Sequence, residues 1–600
     1  MAQSHNSVTQ STLPAGVSIE DLKAEIALLK QENDDLKSNR AFGLVWEHKD
    51  DENIRRTVHS IPVFVEETSC AVISDQSLST PENLLINGDN YHTLLGLQAT
   101  HKGRVDVIYI DPPYNTGNKD FIYNDSYVDK DDKWRHSSWL SFMEPRLQLA
   151  KELLTPAGVI FVSIGDDEQA HLKLLLDRIF GEKNFVDTII WSKNSGGKGD
   201  SKFIKKISEY IHVYKKSDAI TEFKGKENDA AAYKLNDEKG AYRTEKLDRS
   251  SLHYSASLDY PIEAPDGTMI YPGGDEEKYN LRKTSANLKD WTWRWSKKKM
   301  DAEPDMVVFK KNARTNQWGV YTKVHLEGKS DIKHSSILEC PSNGGTKDIK
   351  AIFGGYAFTN PKPRNLVKAL IDLYPKKDAV VLDFFAGSGT TGHAVLDLNA
   401  EDGGTRTFIL GTDNGKWDDV DGGTKIADEV TLERLRRVIT GENWAEPGER
   451  PSYKANLRYF RNKLVELGEG ETSILERQEF VSAAVNTARI AYGAYKVRKA
   501  TEGWVLYESS NFLVGVVFSK DDLFGLRRAI DNETSGKPVV LYATESIASD
   551  VNEFVVSSGE DVVEILGSDL YDAWELHQPE NEIAPGLTVA GSADEDITIF

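Results

Sequence analysis

Apolar positions along this chain repeat with two periods. The runs "RVDVIYI" (104–110), "GVIFVSI" (158–164) and "FVDTIIW" (185–191) have the length and continuity of buried strands. Between them, "WLSFMEPRLQLAKELL" and "DEQAHLKLLLDRIF" place apolar residues every three to four positions, as helices do. "ENLLINGDNYHTLLGLQ" reads as a strand, a turn at Gly88-Asp89 and a helix. Strands alternating with helices predict a parallel, doubly wound α/β sheet. From about Lys193 to Lys350 the rhythm breaks, and glycines, charges and aromatics mix without long periodic runs. It then returns with "PRNLVKALIDLY" as helix, "AVVLDFF" as strand, "TTGHAVLDL" as helix, "TRTFILGTD" as strand and "IADEVTLERLRRVI" as helix. One sheet interrupted by an insertion accounts for this order. The expected parts are a start at 1–40, two sheet halves at 41–214 and 351–445, an insert at 215–350 and a further α+β region at 446–600 with strands such as "VVLYAT".

The first residues carry a separate pattern. Ile19, Leu22, Ile26, Leu29, Asn33 and Leu36 follow the a/d spacing of a coiled coil, with Asn33 at an a position, where a buried amide favours a paired, two-stranded register. The run is under three heptads, so an amphipathic helix packed on its own domain is an equal reading.

Composition narrows the class. No apolar run approaches the roughly 18 residues that span a bilayer, and the start lacks a basic segment followed by an apolar one. Only Cys70 and Cys340 are present, too few for a disulfide framework or a cysteine-rich zinc site, so a soluble, reducing, cytoplasmic setting is expected. No metal cluster is read from the sequence. The formal charge is −22, but it is unevenly spread. Residues 191–350 hold 30 Lys+Arg against 24 Asp+Glu, whereas 441–600 hold 14 against 28. A basic insert in an acidic protein can hold a polyanion locally, although a solvated lysine-rich surface reads the same.

Two loops carry chemistry. "DPPY" (111–114) ends the run "RVDVIYI", placing an acid, two prolines and an aromatic where a buried strand meets solvent. In "VVLDFFAGSGTTGHAV" (380–395) a strand ends at Asp383, and Gly387 and Gly389 lead into a helix whose first N–H groups suit a nucleotide-like ligand. The loop is neither a P-loop nor a G-x-G-x-x-G fingerprint. If both strands are parallel, both loops open on one sheet edge.

Together these segments resemble the DNA amino-methyltransferases that use S-adenosylmethionine (SAM). "DPPY" is similar to their catalytic motif, "DFFAGSGTT" to their SAM motif, and "FTNPKPRNLV" to the segment preceding it. The catalytic motif comes first, the beta-class order. "FGLVWEHKDDENIRRT", "INGDNYHTL", "DPPYNTGNKDFIYNDSY", "GVIFVSIGDDE", "YPIEAPDGTMIYPGG", "WTWRWSKKKM" and "IADEVTLERLRRVI" resemble the modification (Mod) subunit of type III restriction–modification systems over about residues 40–460. The resemblance implies a circularly permuted Rossmann-like methyltransferase sheet, an α+β target recognition insert and a smaller C-terminal domain. It implies methylation of adenine N6 in double-stranded DNA by base flipping, a homodimer, and a helicase–nuclease restriction (Res) partner. It carries the catalytic role to Asp111, Pro112, Pro113 and Tyr114. It carries SAM binding to Asp383, Phe384, Phe385, Gly387 and Gly389, with Lys362 and Asp111 in the same cleft and Asp413 on the ribose. Asp89 either lines the cofactor pocket or forms a turn.

The chemistry explains the residues. The amino nitrogen of adenine is a weak nucleophile because its lone pair is drawn into the ring. An acceptor on its N–H restores electron density, and Asp111 can be that acceptor. The carbonyl between the prolines can take the second N–H, in a geometry the rings fix. Tyr114 offers a flat face for a flipped base. In "WTWRWSKKK" (291–299) aromatics alternate with cations, which suits nucleic acid or a core Trp with solvated lysines. Three further readings compete: a solitary methyltransferase without a nuclease, an RNA methyltransferase, and a specificity subunit that has lost catalysis.

Overall fold

In a computed structural model of the chain, the described residues are 46–117, 122–123, 126–127, 133–193, 204–225, 232–250, 254–284, 290–326, 333–415, 424–448, 452–467, 477–533, 535–556 and 562–578. The heptad-like segment 19–36, with Asn33, lies outside them. Two compact units divide the chain: 1–221 with 337–371 and 376–600, and Glu222–Ser336 with Asp372–Pro375.

The larger unit is built on one mixed sheet. Its strands are β1 (Ser60–Glu66), β2 (Glu82–Asn87), β3 (Val105–Ile110), β4 (Leu154–Ile164), β5 (Phe185–Ser192), β6 (Ser208–Lys215), β7 (Ile337–Glu339), β8 (Val380–Asp383), β9 (Thr407–Thr412) and β10 (Asn456–Glu466). Their order is β1-β10-β2-β9-β8-β3-β4-β6-β5-β7, with the short strand Val72–Ile73 also on β10. From β10 to β4 every pairing is parallel. All six residues of β3 are buried, because a central parallel strand is covered on both faces. Each of its fully buried aliphatic side chains contributes about 1.5–3 kcal/mol relative to exposure, whereas buried Asp106 is compensated by Lys376 at 3.0 Å and the Val380 N–H at 3.1 Å.

The alternation had predicted a parallel sheet, but the sheet is mixed. β6 runs antiparallel to both β4 and β5, and β1 runs antiparallel to β10. Neither β6 nor β10 is a continuous apolar run: β6 reads "SEYIHVYK", and β10 carries Arg458, Arg461 and Lys463. β10 also takes the main sheet past residue 445, where the sequence had placed the start of a separate C-terminal region.

Helices cover both faces: α1 (Asn90–His101), α2 (Arg135–Leu153), α3 (Gln169–Phe180), α4 (Arg364–Ile371), α5 (Thr390–Asp402) and α6 (Glu433–Thr440). A π-helical turn, Ile426–Leu432, leads directly into α6. Towards the C-terminus, five strands (Lys496–Ala500, Trp504–Glu508, Leu513–Val517, Val539–Ala543 and Val562–Ile565) pair in chain order. Two helices tie this sheet to the first. Phe480, on Gln478–Tyr492, joins the main core, and Trp574, on Ser568–Leu576, donates its indole N–H to the Thr57 carbonyl at 2.6 Å.

The smaller unit has a four-stranded antiparallel sheet in the order Leu235–Asp237, Gly240–Lys246, Trp318–His325, Val307–Lys311. Leu247, Ile262, Trp293 and Val320 form its core. Buried Arg282 is paired in fork geometry with buried Asp259, at 3.1 and 3.2 Å. Trp293, the middle Trp of "WTWRW", is therefore a core residue, while Lys297, Lys298 and Lys299 are exposed.

Among the described residues no helix is long and apolar enough to cross a membrane.

Candidate active site

The carboxyl ends of β2, β3, β4, β8 and β9 share one edge, because these strands are parallel. β3 stops at Ile110 because Pro112 and Pro113 have no N–H to extend the ladder. Asp111 follows at once, with 26% of its side chain exposed. Lys362 donates to both of its oxygens, at 2.7 and 2.8 Å. Burial pushes the Asp111 carboxyl above the usual range. The Lys362 ammonium opposes that rise, and the Glu209 carboxylate adds to it.

Several contacts fix the turn after Asp111. The Pro113 carbonyl accepts the Trp139 indole N–H at 2.7 Å. The Tyr114 hydroxyl donates to Glu209 at 2.9 Å, and Lys362 lies 4.7 Å from the Tyr114 ring centroid. Gly165, after β4, packs against that ring, and a Cβ there would come within 2.8 Å of it. Asn115 adopts a left-handed φ of 55° and is buried. Its amide donates to the Arg135 carbonyl at 3.1 Å and to Glu168 at 2.5 Å. Asn tolerates this backbone better than most residues, and its side chain repays the strain with hydrogen bonds.

The second loop begins at Asp383, the last residue of β8. Its carboxyl accepts the Phe385 N–H at 3.0 Å and the Thr391 hydroxyl at 2.5 Å. Burial raises its pKa to about 7, against those two hydrogen bonds. Phe384 is buried, and Phe385 packs on Phe142 with ring centroids 6.0 Å apart. Gly387 and Gly389 take φ values of 48° and 74°, the second as the N-cap of α5. Beneath the loop the Thr431 hydroxyl donates to the Gly387 carbonyl at 2.5 Å. Fully buried Arg434 donates to the Ser388 carbonyl at 3.1 Å, the Ser388 hydroxyl at 3.0 Å and the Thr390 hydroxyl at 2.9 Å.

Two further acids were candidates. Asp89 caps α1, accepting from the N–H groups of Tyr91 at 2.8 Å and His92 at 3.3 Å, while its other oxygen meets the Asn53 amide at 3.1 Å. That geometry is the turn-forming role. Asp413 follows β9 on the same edge, exposed, and accepts the Gly415 N–H at 2.9 Å.

The site also contains residues that sequence reasoning passed over. Glu209, at the start of β6, reaches the edge because β6 runs opposite to β4. It receives the Tyr114 hydroxyl, pairs with Lys193 and lies 3.6 Å from Lys362. Trp191, at the end of β5, is buried, donates to the Cys340 carbonyl at 2.7 Å and faces Lys362 at 5.9 Å. The one available signal was the short alternation "EYIHVY" after a charged stretch.

The chain is similar in sequence to known proteins. A family profile described as DNA methylase matches residues 105–416. The Type III restriction-modification enzyme StyLTI Mod subunit of Salmonella typhimurium is 35% identical over 63% of this chain and 60% of its own length. The Type II methyltransferase M.KpnI of Klebsiella pneumoniae is 36% identical over 60% of this chain and 88% of its own. The Type III restriction-modification enzyme EcoPI Mod subunit of Escherichia phage P1 is 33% identical over 61% and 64%. The chain thus spans less than two thirds of the length of these type III relatives.

Proposed function

We propose that this chain, which belongs to the DNA methylase family, transfers a methyl group from SAM to adenine N6 within a recognised sequence of double-stranded DNA. The observation that carries the reading is the meeting of the Asp111–Tyr114 turn and the Gly387–Gly389 loop on one sheet edge, with Lys362 on Asp111.

The residues suit the cofactor. SAM supplies an electrophilic methyl on a sulfonium, and its other end carries an ammonium and a carboxylate, which match Asp111 and Lys362. Gly387 keeps the loop close, since a Cβ there would lie 3.1 Å from the Phe358 ring. The start of α5 offers N–H groups. Phe384 and Phe385 form the loop's apolar wall, and Asp383 fixes its backbone. Asp413, which follows β9 on the same edge, is the acid assigned to the ribose hydroxyls, whereas Asp89 supports the wall as the cap of α1.

Asp111 keeps lone pairs beside Lys362 with which to accept an N–H of the target amine. The Pro112 carbonyl takes the second, its neighbour Pro113 being committed to Trp139. Tyr114 stacks on the flipped base, returning about 1–3 kcal/mol of an extrusion cost of a few kcal/mol. The Glu209 bond holds the Tyr114 ring in orientation.

The motif order fits a circularly permuted methyltransferase sheet. The insert, expected at 215–350, acts as the target recognition domain, with Lys297, Lys298 and Lys299 on phosphates. The resemblance to Mod subunits supports a type III system, in which this cytoplasmic chain forms a homodimer and joins a Res helicase–nuclease. The acidic C-terminal part offers it a docking surface. A second reading is a solitary methyltransferase without a nuclease partner; the 88% coverage of the type II methyltransferase M.KpnI supports methyl transfer by a chain of this kind outside a type III complex. Sequencing, with modification detection, of DNA exposed to this protein and SAM tests the proposal. Methyl groups on cytosine, on RNA alone, or nowhere would refute it.

A further inference from the structure

Three side chains outside the Asp111 pocket converge on one point. His136 lies in the first turn of α2, His171 in the first turn of α3, and Glu168 immediately before α3. One ligand atom from each lies within 4.8 Å of the others. The Glu168 side chain is 0% exposed, against 36% for His136 and 32% for His171. Glu168 Oε1 accepts the Asn115 amide at 2.5 Å and faces His136 Nδ1 at 2.7 Å. Oε2 lies 3.0 Å from His171 Nδ1, yet neither of these buried atoms makes a hydrogen bond among the described residues. The pair is within ion-pair distance but without hydrogen-bond geometry, so both buried atoms are left under-satisfied, and a shared cation satisfies both. The imidazole rings lie 4.4 Å apart with a 34° tilt, which brings both Nδ1 edges to one carboxylate.

We infer that His136, Glu168 and His171 form a binding site for a divalent transition-metal ion, with Zn²⁺ the best match. Two imidazoles and a carboxylate suit Zn²⁺, whereas Mg²⁺ and Ca²⁺ prefer oxygen alone. Zinc–ligand bonds of about 2.0–2.2 Å set tetrahedral ligand separations of about 3.3 Å. The two present contacts would open by a few tenths of an ångström, which partly exposed imidazoles permit. Water completes the shell. The Arg135 Nε–H now donates to His136 Nε2 at 3.2 Å. With metal on Nδ1, Nε2 carries the proton, so Arg135 turns away. The ion ties the starts of α2 and α3 to Asn115, next to Tyr114, and its role is positional. Sequence alone hides the site, because 32 residues separate His136 from Glu168.

The full chain, stripped with chelator and dialysed against Zn²⁺, should retain one Zn²⁺ per chain by elemental analysis and melt at a higher temperature. Excess Mg²⁺ should not displace it. His171→Ala and Glu168→Gln should each lose the metal, and Arg135→Gln should hold it at least as tightly. His171→Ala keeps the test valid if Glu168→Gln misfolds, since circular dichroism verifies its fold. A native chain without stoichiometric Zn²⁺, or a folded His171→Ala variant with unchanged stoichiometry, would overturn the inference.

Discussion

Replacing Lys362 with Met tests the centre of the proposed mechanism. Lys362 gives two contacts, at 2.7 and 2.8 Å, to Asp111 and stands 3.6 Å from Glu209. Its side chain is 12% exposed, and that of Asp111 26%. Removing one partner of a buried ion pair costs about 3–5 kcal/mol. Water reaches a quarter of Asp111, so we expect about 2 kcal/mol here, or roughly thirtyfold in the population of ionised Asp111. The carboxylate escapes that penalty by binding a proton. The sign follows: burial already raises the Asp111 pKa, the ammonium opposes the rise, and its loss lets the pKa climb further. Methylation needs the ionised form, so the acid limb of the pH–rate profile should move to higher pH. The assay is transfer of labelled methyl groups to duplex DNA from about pH 6 to about pH 9. The variant should lose most activity at the acid end and recover part of it at the alkaline end. The same fractional loss at every pH would refute the reasoning.

Other perturbations separate the parts of the site. Asp111→Ala should abolish methylation and leave duplex binding within a few-fold in a gel-shift assay, because the proposed mechanism sets Asp111 on the reacting amine and not on phosphates. Gly387→Val should weaken SAM binding about tenfold or more by calorimetry, since the left-handed φ alone costs about 1–3 kcal/mol and the new Cβ meets the Phe358 ring at 3.1 Å. Burial raises Asp383 from 3.8 to about 7, so the stability it contributes is full below the lower value and lost as pH rises through the upper one. Asp383→Asn should therefore gain on the native chain by about 3 kcal/mol between about pH 5 and about pH 8, read from denaturant midpoints. Exchanging Glu222–Ser336 for the equivalent segment of a relative should change the methylated sequence and not the methylated base.

Much of this site was legible because buried parallel strands write themselves as nearly continuous apolar runs. β3 and β8 were visible for that reason, and the residues that end them, Asp111 and Asp383, could be named. The glycine loop was legible because Gly387 and Gly389 occupy backbone that other residues avoid. What escaped depends on strands without such runs. β10 carries three basic residues, and Arg458 and Arg461 are matched by Glu82, Glu67 and Asp428 from elsewhere in the chain. No local pattern reveals such partners. β6 follows a lysine-rich stretch, and its direction is set by the hairpin it makes with β5. Nothing in "ERLRRVI" distinguishes Arg434 from its charged neighbours, yet it is fully buried under the glycine loop, where backbone and hydroxyl oxygens accept its hydrogen bonds.

The reversal of β6 has a consequence for the chemistry. A parallel strand beside β4 would bring its last residues to the active edge. An antiparallel one brings its first, and here they include Glu209. Around Lys362 two carboxylates, Asp111 and Glu209, therefore meet two ammonium groups, Lys362 and Lys193. These four charges balance before any ligand arrives, which suits groups that are largely removed from water. Methylation of a neutral amine places positive charge on its nitrogen until a proton leaves, so under the proposed function Asp111 must face that charge while Lys362 is already bound to it. Two cations on one carboxylate repel. Glu209, 3.6 Å from Lys362, offers the ammonium a second seat at little cost, because the shift is under the length of one hydrogen bond and both acids remain compensated throughout. Glu209 thus serves both needs of the site: its bond to the Tyr114 hydroxyl fixes the stacking face, and its charge lets Lys362 lean away from Asp111 as the amine becomes cationic.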